Sequence, residues 1–263
     1  MNTSTARSLR AVLATALALG FLIASPLAAS AASSADSPIV KALASPARPK
    51  ADVDRDAARK PGELIAFAGI EPGDRVADIM PGKGYFTRIF SKLVGRRGQV
   101  YAIVPSELAQ VDAGAPKEAH ALARDPALST NVVAVVSPSA ELTVPEPLDV
   151  AWTSQNYHDL YGFFGAAQAA RFDAAVFRAL KPGGVFIVID HVAAAGSSDT
   201  APKTLHRIDP ETVKAQVIAA GFVLEDESKL LANADDAHDL KVFDPAIRGR
   251  SDQFVFKFRK PMR

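Results

Sequence analysis

Three of the five histidines of this chain stand at the ends of expected elements and near acids: His158 before Asp159, His191 after Asp190, and His206 three residues before Asp209. Histidine titrates near neutrality, and a neighbouring carboxylate can orient its ring, so such pairs suit general-base chemistry. His158, Asp159 and His191 are therefore the candidate catalytic residues. Imidazole and carboxylate also suit several divalent ions, but no metal ligand is assigned from the sequence. A purely structural role stands beside each of these. A loop histidine next to aspartate also serves as a hydrogen-bonded strut, and Asp209 is accounted for as a helix cap before Pro210.

The second constellation is Val76-Ala77-Asp78-Ile79-Met80-Pro81-Gly82-Lys83-Gly84-Tyr85-Phe86-Thr87, which reads as a strand, a tight glycine turn and a helix start in succession. Glycine lets backbone pass close to a ligand, and a helix N-terminus offers free N–H groups to a carboxylate. By itself the glycine pair fits a turn kept for geometry as well as it fits a ligand site.

The elements that must position these residues follow from hydrophobic periodicity. Short runs rich in Val and Ile at 75–79, 99–104, 132–136, 149–153 and 185–190 read as strands apolar on both faces. Helical patterns alternate with them: Leu64, Ile65, Phe67 and Ala68 after Pro61; Phe86, Ile89, Phe90 and Leu93; Phe172, Val176 and Leu180; Val213 and Val217 after Asp209. That alternation predicts an α/β fold with a doubly wound, mostly parallel sheet. Segments 222–228 and 253–258 form a closing pair, and the long polar stretch 230–251 between them is expected at the rim of the site. In such a sheet the fourth and fifth strands end side by side, so His158, Asp159, Asp190 and His191 should converge beside the glycine loop.

Arg7 and Arg10 precede an apolar run at 11–24 followed by Ala29-Ser30-Ala31, the pattern of a cleaved signal peptide over residues 1–31. The run is too short to span a bilayer, so the mature protein is expected to be periplasmic or secreted, with no membrane partner. Residues 32–50, rich in Ala, Ser and Pro, read as a flexible leader, and 51–263 as one domain. Removing 1–31 takes away two arginines and no acid, leaving 28 basic against 29 acidic residues. That balance carries no footprint for nucleic acid. The absence of cysteine excludes thiol catalysis and thiolate metal sites.

The glycine-loop segment resembles the S-adenosyl-L-methionine (SAM) binding motif of class I SAM-dependent methyltransferases. The phrase Ala179-Leu180-Lys181-Pro182-Gly183-Gly184-Val185-Phe186 resembles the turn into their fifth strand. More narrowly, 59–67, 81–87, Tyr157-His158-Asp159-Leu160, Asp190-His191, 205–209 and 252–261 look like a branch of exported bacterial proteins known as predicted methyltransferases. The resemblance implies a Rossmann-like sheet of seven strands with the last antiparallel, a small-molecule acceptor, and SAM across the ends of the first strands. It puts Asp78, Pro81, Gly82, Gly84, Tyr85, Thr87, Glu107, Asn156 and Tyr157 at the cofactor, Gly82 and Gly84 facing its methionine part and Asp78 its ammonium. Two departures stand out: the second strand ends in Val104 rather than an acid for the ribose, and Ser137-Pro138-Ser139 lacks an acid for adenine. Glu107 is the nearest candidate to replace the first. These departures leave open a second reading, a binding protein without turnover on the same fold.

Overall fold

The strands expected from Val and Ile runs form a single seven-stranded sheet: Arg75–Ile79 (β1), Gln99–Pro105 (β2), Val132–Ser137 (β3), Leu148–Ser154 (β4), Leu180–His191 (β5), Val223–Ser228 (β6) and Gln253–Arg259 (β7). The structure is a computed structural model that describes Met1 and residues 36–128, 130–197 and 199–262. Apart from Met1, the expected signal segment lies outside the described residues. Strand order is β3-β2-β1-β4-β5-β7-β6. β1 to β5 pair in parallel, and β7 alone runs against both its neighbours, β5 and β6. This is the doubly wound sheet, last strand antiparallel, that the resemblance implied.

Alternation along β1 explains why the central strands are apolar on both sides. Val76 packs in one cluster with Phe86, Phe90 and Trp152, whereas Ala77 and Ile79 pack in the other with Phe172, Val176 and Phe186. The helices Tyr85–Val94 (α5) and Ala166–Ala179 (α8) cover the two faces. The edge strand β3 differs from the expectation of full cover, because Val133 and Val136 are both 41% exposed. β5 begins at Leu180, before the turn expected at Lys181-Pro182-Gly183-Gly184, and the pairing with β4 slips there.

The stretch read as a flexible leader is in part structured. Helices Pro38–Leu43 (α1), Lys50–Val53 (α2) and Asp56–Arg59 (α3) precede Pro61–Ala68 (α4). Ile39, Ala42 and Leu43 make an apolar face at helical spacing that an Ala/Ser/Pro composition hides, and Ala42 is fully buried. The buried Arg48 adds a forked bond to Asp56, at 2.8 and 2.5 Å, and a 2.8 Å bond to the Leu43 carbonyl.

Two more helices bear on the site. Tyr157–Phe164 (α7) starts directly after β4, and Pro210–Ala219 (α10) starts at Asp209, whose carboxylate accepts the Glu211 N–H at 3.0 Å as expected of a cap. The segment 230–251 is held to this body by Arg207. Its fully buried guanidinium donates to the carbonyls of Leu240 and Val192, each at 2.9 Å, and pairs with Asp236 at 2.8 Å. Among the described residues no helix is long and apolar enough to cross a membrane.

Tyr157 does not reach the ligand crevice, contrary to the expectation for it. As the first residue of α7 it turns inward, is fully buried, and donates its hydroxyl to Asp173 at 2.8 Å. Burial pushes Asp173 up to about 8 despite that bond. The folded protein thus keeps a proton that the unfolded chain has released above about pH 4. The stabilisation from this site is complete below that pH and is lost as pH rises to about 8. Asp173→Asn should therefore flatten the decline of unfolding free energy across this window in urea denaturation; an unchanged slope would contradict the assignment.

Candidate functional site

The site is built on the turn that leaves β1. Asp78 is the one acid among apolar neighbours, buried, with the Thr87 hydroxyl donating to it at 2.6 Å. Burial pushes Asp78 up to about 6, against the Thr87 bond and the Arg59 charge. Thr87 is itself fully buried, so it positions Asp78 and does not meet a ligand. Met80 and Gly82 both take φ 53°, and Gly84 takes φ 83°.

The two glycines of the turn have different reasons. A Cβ on Gly82 would meet nothing within 4 Å, and Gly82 opens with Pro81 onto two adjoining cavities. A Cβ on Gly84 would lie 2.3 Å from a methyl of Leu122 on the helix Ala115–Ala123 (α6). The expectation that Gly84 faces a ligand is corrected: it lets α6 pack against the start of α5.

One cavity, of about 270 Å³, carries opposite charges: Asp52 and Asp78 against Arg55 and Arg59, with Tyr85 and Asn156 also in its wall. Arg59 lies 4.3 Å over the Tyr85 ring and donates to the Ser154 hydroxyl at 3.1 Å. Burial, helped by the charge of Arg55, brings its pKa down to about 10, so it remains a cation at neutral pH. The Tyr85 hydroxyl donates to Asp56 at 2.6 Å. Asn156 donates to the Ile79 and Met80 carbonyls at 3.2 and 3.0 Å, tying the turn after β4 to the turn after β1. Arg59 opens the resembling stretch 59–67, Arg55 lies outside it, and neither carries a further sequence signal.

The second cavity, of about 310 Å³, runs from Gly82 over Val104, Leu108 and Val111 to Asp112 and Glu118. Glu107 is absent from it. Its carboxylate turns away to accept the Ser139 N–H at 3.1 Å and hydroxyl at 2.9 Å, and the Gln168 amide at 3.1 Å. Burial would raise Glu107, but those bonds hold it below its ordinary value. Glu107 thus ties β2 to β3, and of the acids that line this cavity, Asp112, Glu118 and Asp159, the one that follows β2 most nearly is Asp112. Its position in Asp112-Ala113-Gly114, where Oδ1 accepts the Gly114 N–H at 2.8 Å, marks a turn and gave no hint of a ligand role.

The histidine cluster converges as expected of neighbouring strand ends. Asp190, fully buried at the end of β5, accepts the backbone N–H of His158 and of His191, each at 2.7 Å, and faces His158 Nδ1 at 2.7 Å. His158 Nε2 faces Asp159 at 3.2 Å, and His206 Nδ1 faces the same carboxylate oxygen at 3.2 Å. Burial disfavours a charged His158, yet Asp190 and Asp159 lift it to about 10, while Asp190 stays below the ordinary carboxylate range. With both ring nitrogens engaged by carboxylates, His158 has no lone pair to offer an acceptor, which corrects the reading of it as a general base.

His191 instead borders a third cavity, of about 540 Å³, that it shares with Arg55, Arg59, Gln155 and Arg248. Its Nδ1 lies 2.8 Å from the Ser251 hydroxyl, and burial brings it down to about 4 against the pull of Asp190, so the ring is neutral. The 230–251 segment supplies Val242, Phe243, Arg248 and Gly249 to this wall, the rim role expected of it. Gln155 and His206, like Met80, are non-glycine residues at positive φ, 63° and 54°. Such backbone costs about 1 kcal/mol or more and concentrates at functional sites.

The sheet order, the antiparallel last strand and the glycine turn at the end of β1 define the fold of the class I SAM-dependent methyltransferases. No protein-family model matches the chain. Over 130 residues it is 32% identical to the ubiquinone/menaquinone biosynthesis C-methyltransferase UbiE of Pseudomonas paraeruginosa, a match covering 48% of this chain and 45% of that protein. The corresponding protein of Psychromonas ingrahamii is 30% identical over 48% of this chain and 46% of its own. The chain thus spans about half the length of the curated relatives it matches. Among solved structures it is similar to a SAM-dependent methyltransferase from Aquifex aeolicus (TM-score 0.55, 18% identity, 80% and 95% of the two chains). It is also similar to the [4+2]-cyclase SpnF (TM-score 0.58, 20% identity, 79% and 82%) and to the glycopeptide N-methyltransferase MtfA complexed with SAM (TM-score 0.51, 17% identity, 76% and 87%).

The two glycines should separate by experiment. Gly82→Ala puts a side chain at positive φ in open space and should lower unfolding free energy by about 1 kcal/mol. Gly84→Ala adds the collision with Leu122 and should lower it by about 2–4 kcal/mol, with part of the loss recovered in a Leu122→Ala background. Equal losses in denaturant titrations would overturn the division of roles.

Proposed function

We propose that this chain is a SAM-dependent methyltransferase acting on an oxygen or nitrogen of a small-molecule acceptor, exported by the segment 1–31. The observation that carries the reading is the Gly82 turn, which has no side chain to fill the junction of two cavities, one lined by opposite charges and one by apolar residues with Asp112. The residues fit a zwitterion joined to a nucleoside. Asp78 takes an ammonium, Arg59 and Arg55 take a carboxylate, and Asp112 accepts from ribose hydroxyls beside Val104, Leu108 and Val111.

When bound, SAM supplies an electrophilic methyl on a sulfonium. The protein contributes alignment and exclusion of water, the main levers in transfers of this kind. His191 borders the cavity next to the charged one and is placed to receive the proton that the acceptor loses. His158, held between Asp190 and Asp159, positions the start of α7 and with it Asn156. The curated relatives are named as C-methyltransferases; an oxygen or nitrogen acceptor is favoured here by the polar wall around His191.

A second reading, a protein that binds SAM or a related nucleoside without methyl transfer, is favoured by the likeness to a [4+2]-cyclase, since fold does not settle chemistry. Export adds weight to it, because SAM is a charged compound of the cytosol.

Calorimetry with SAM and S-adenosylhomocysteine tests the binding that both readings share. One site per chain is expected, lost in Gly82→Val. Because Asp78 must be ionised to hold an ammonium, affinity should fall by about tenfold per pH unit below about pH 6 and be flat above it. Asp78→Asn should bind weakly with no such dependence. No binding of either compound at millimolar concentration would sink the methyltransferase reading and leave the second only with a different nucleoside.

A further inference from the structure

The structure brings three atoms able to ligate a metal close together beside the cavity that runs from Gly82 to Asp112, two of them on residues that line it. His158 Nε2 and His206 Nδ1 each lie 3.2 Å from Oδ1 of Asp159, and the three residues offer ligand atoms all within 4.8 Å of one another. An ion bound tetrahedrally at about 2.0–2.2 Å spaces its ligand atoms at roughly 3.3 Å. The two imidazole rings meet edge to face, at 86° and 5.4 Å between centroids, so their nitrogens approach the carboxylate from different directions.

Behind the cluster, His158 Nδ1 is engaged by the buried Asp190 at 2.7 Å. That bond leaves Nε2 as the nitrogen aimed at the cluster, and a bound ion would displace the proton that Nε2 shares with Asp159 in the metal-free protein, since imidazole ligates only without it. A carboxylate behind a ligating histidine fixes its tautomer and strengthens it as a donor. His206 reaches the cluster only through backbone at φ 54°, and Phe243 lies against its ring at 4.9 Å between centroids. Asp159 and His206 also line the cavity, which leaves the remaining coordination positions open to a ligand.

We propose that His158 Nε2, Asp159 and His206 Nδ1 bind one divalent transition-metal ion of the Zn²⁺ or Co²⁺ type. Two imidazoles and one carboxylate suit such ions, whereas Mg²⁺ and Ca²⁺ take mostly oxygen. The ion faces the cavity and is placed to polarise an acceptor oxygen there. That role rests on the methyltransferase reading; the binding does not, and its test contains no SAM.

The test uses the full chain dialysed against chelator, titrated with Zn²⁺ by calorimetry and with Co²⁺ by visible absorption. The expected result is one ion per chain, a Co²⁺ d–d band typical of nitrogen and oxygen ligation, and no competition from excess Mg²⁺. His206→Ala and Asp159→Asn, at partly exposed positions that the core does not need, should each weaken Zn²⁺ binding by about tenfold or more, while His120→Ala at an exposed position should leave it unchanged. No binding at stoichiometric metal would overturn the proposal, and so would binding of equal strength in His206→Ala. Either result would leave the cluster as ion pairs of His158 and His206 with Asp159, whatever the calorimetry with SAM shows.

Discussion

Strands β1 to β5 run parallel and so all end on the same side of the sheet, and Asp78, Asn156, Asp159 and Asp190 reach the site because they lie at or just beyond those ends. The helix that follows β1 (α5) and the second helix after β4 (α8) pack on opposite faces of the sheet, and the crevice between such strand ends is where ligands of doubly wound sheets lie. What gives this crevice a definite shape is the Asp190 carboxylate. Fully buried at the end of β5, it receives two backbone N–H groups and one ring nitrogen. It therefore fixes where α7 begins, and α7 in turn carries Asn156 to the carbonyls of Ile79 and Met80. A buried charge tolerates no missing partner, since breaking such a pair costs about 3–5 kcal/mol.

Charge is distributed around the crevice in a way that composition conceals. The chain is nearly neutral as a whole, with 30 basic and 29 acidic residues, yet one cavity wall holds Arg55, Arg59 and Arg248 and another holds Asp112 and Glu118. Asp78 lies in the wall of the cavity between them, raised by burial to about 6 and so still a carboxylate at neutral pH. A zwitterionic ligand that also carries a neutral nucleoside matches that arrangement better than a simple anion or cation does.

The sheet was legible because each central strand is a short Val and Ile run, and the glycine turn because strand, turn and helix follow one another without a gap. What sequence could not reveal is direction. Tyr157, His158 and Asp159 are consecutive on a helix, where neighbours point about 100° apart, so one enters the core, one meets Asp190 and one lines the cavity. Gly82 and Gly84 are two residues apart, yet only one faces the cavity. Glu107 and Asp112 compete for one role by loop path alone, and the 3-10 turn Ser106–Gln110 sends the first toward β3. The helix Pro38–Leu43 is hidden in the sequence because its three apolar residues at helical spacing are outvoted, in a composition count, by their Ala, Ser and Pro neighbours.

The Gly82 turn, with Asp78 and Arg59 on one side and Asp112 on the other, is proposed as the seat of a SAM-type ligand. The most direct test is a crystal structure of the protein grown with S-adenosylhomocysteine. On that proposal the amino-acid end of the ligand is expected between Asp78 and Arg59, its sulfur over Gly82, and its ribose hydroxyls on Asp112. A ligand seated anywhere else, or one whose ribose is held by Glu107, would contradict it.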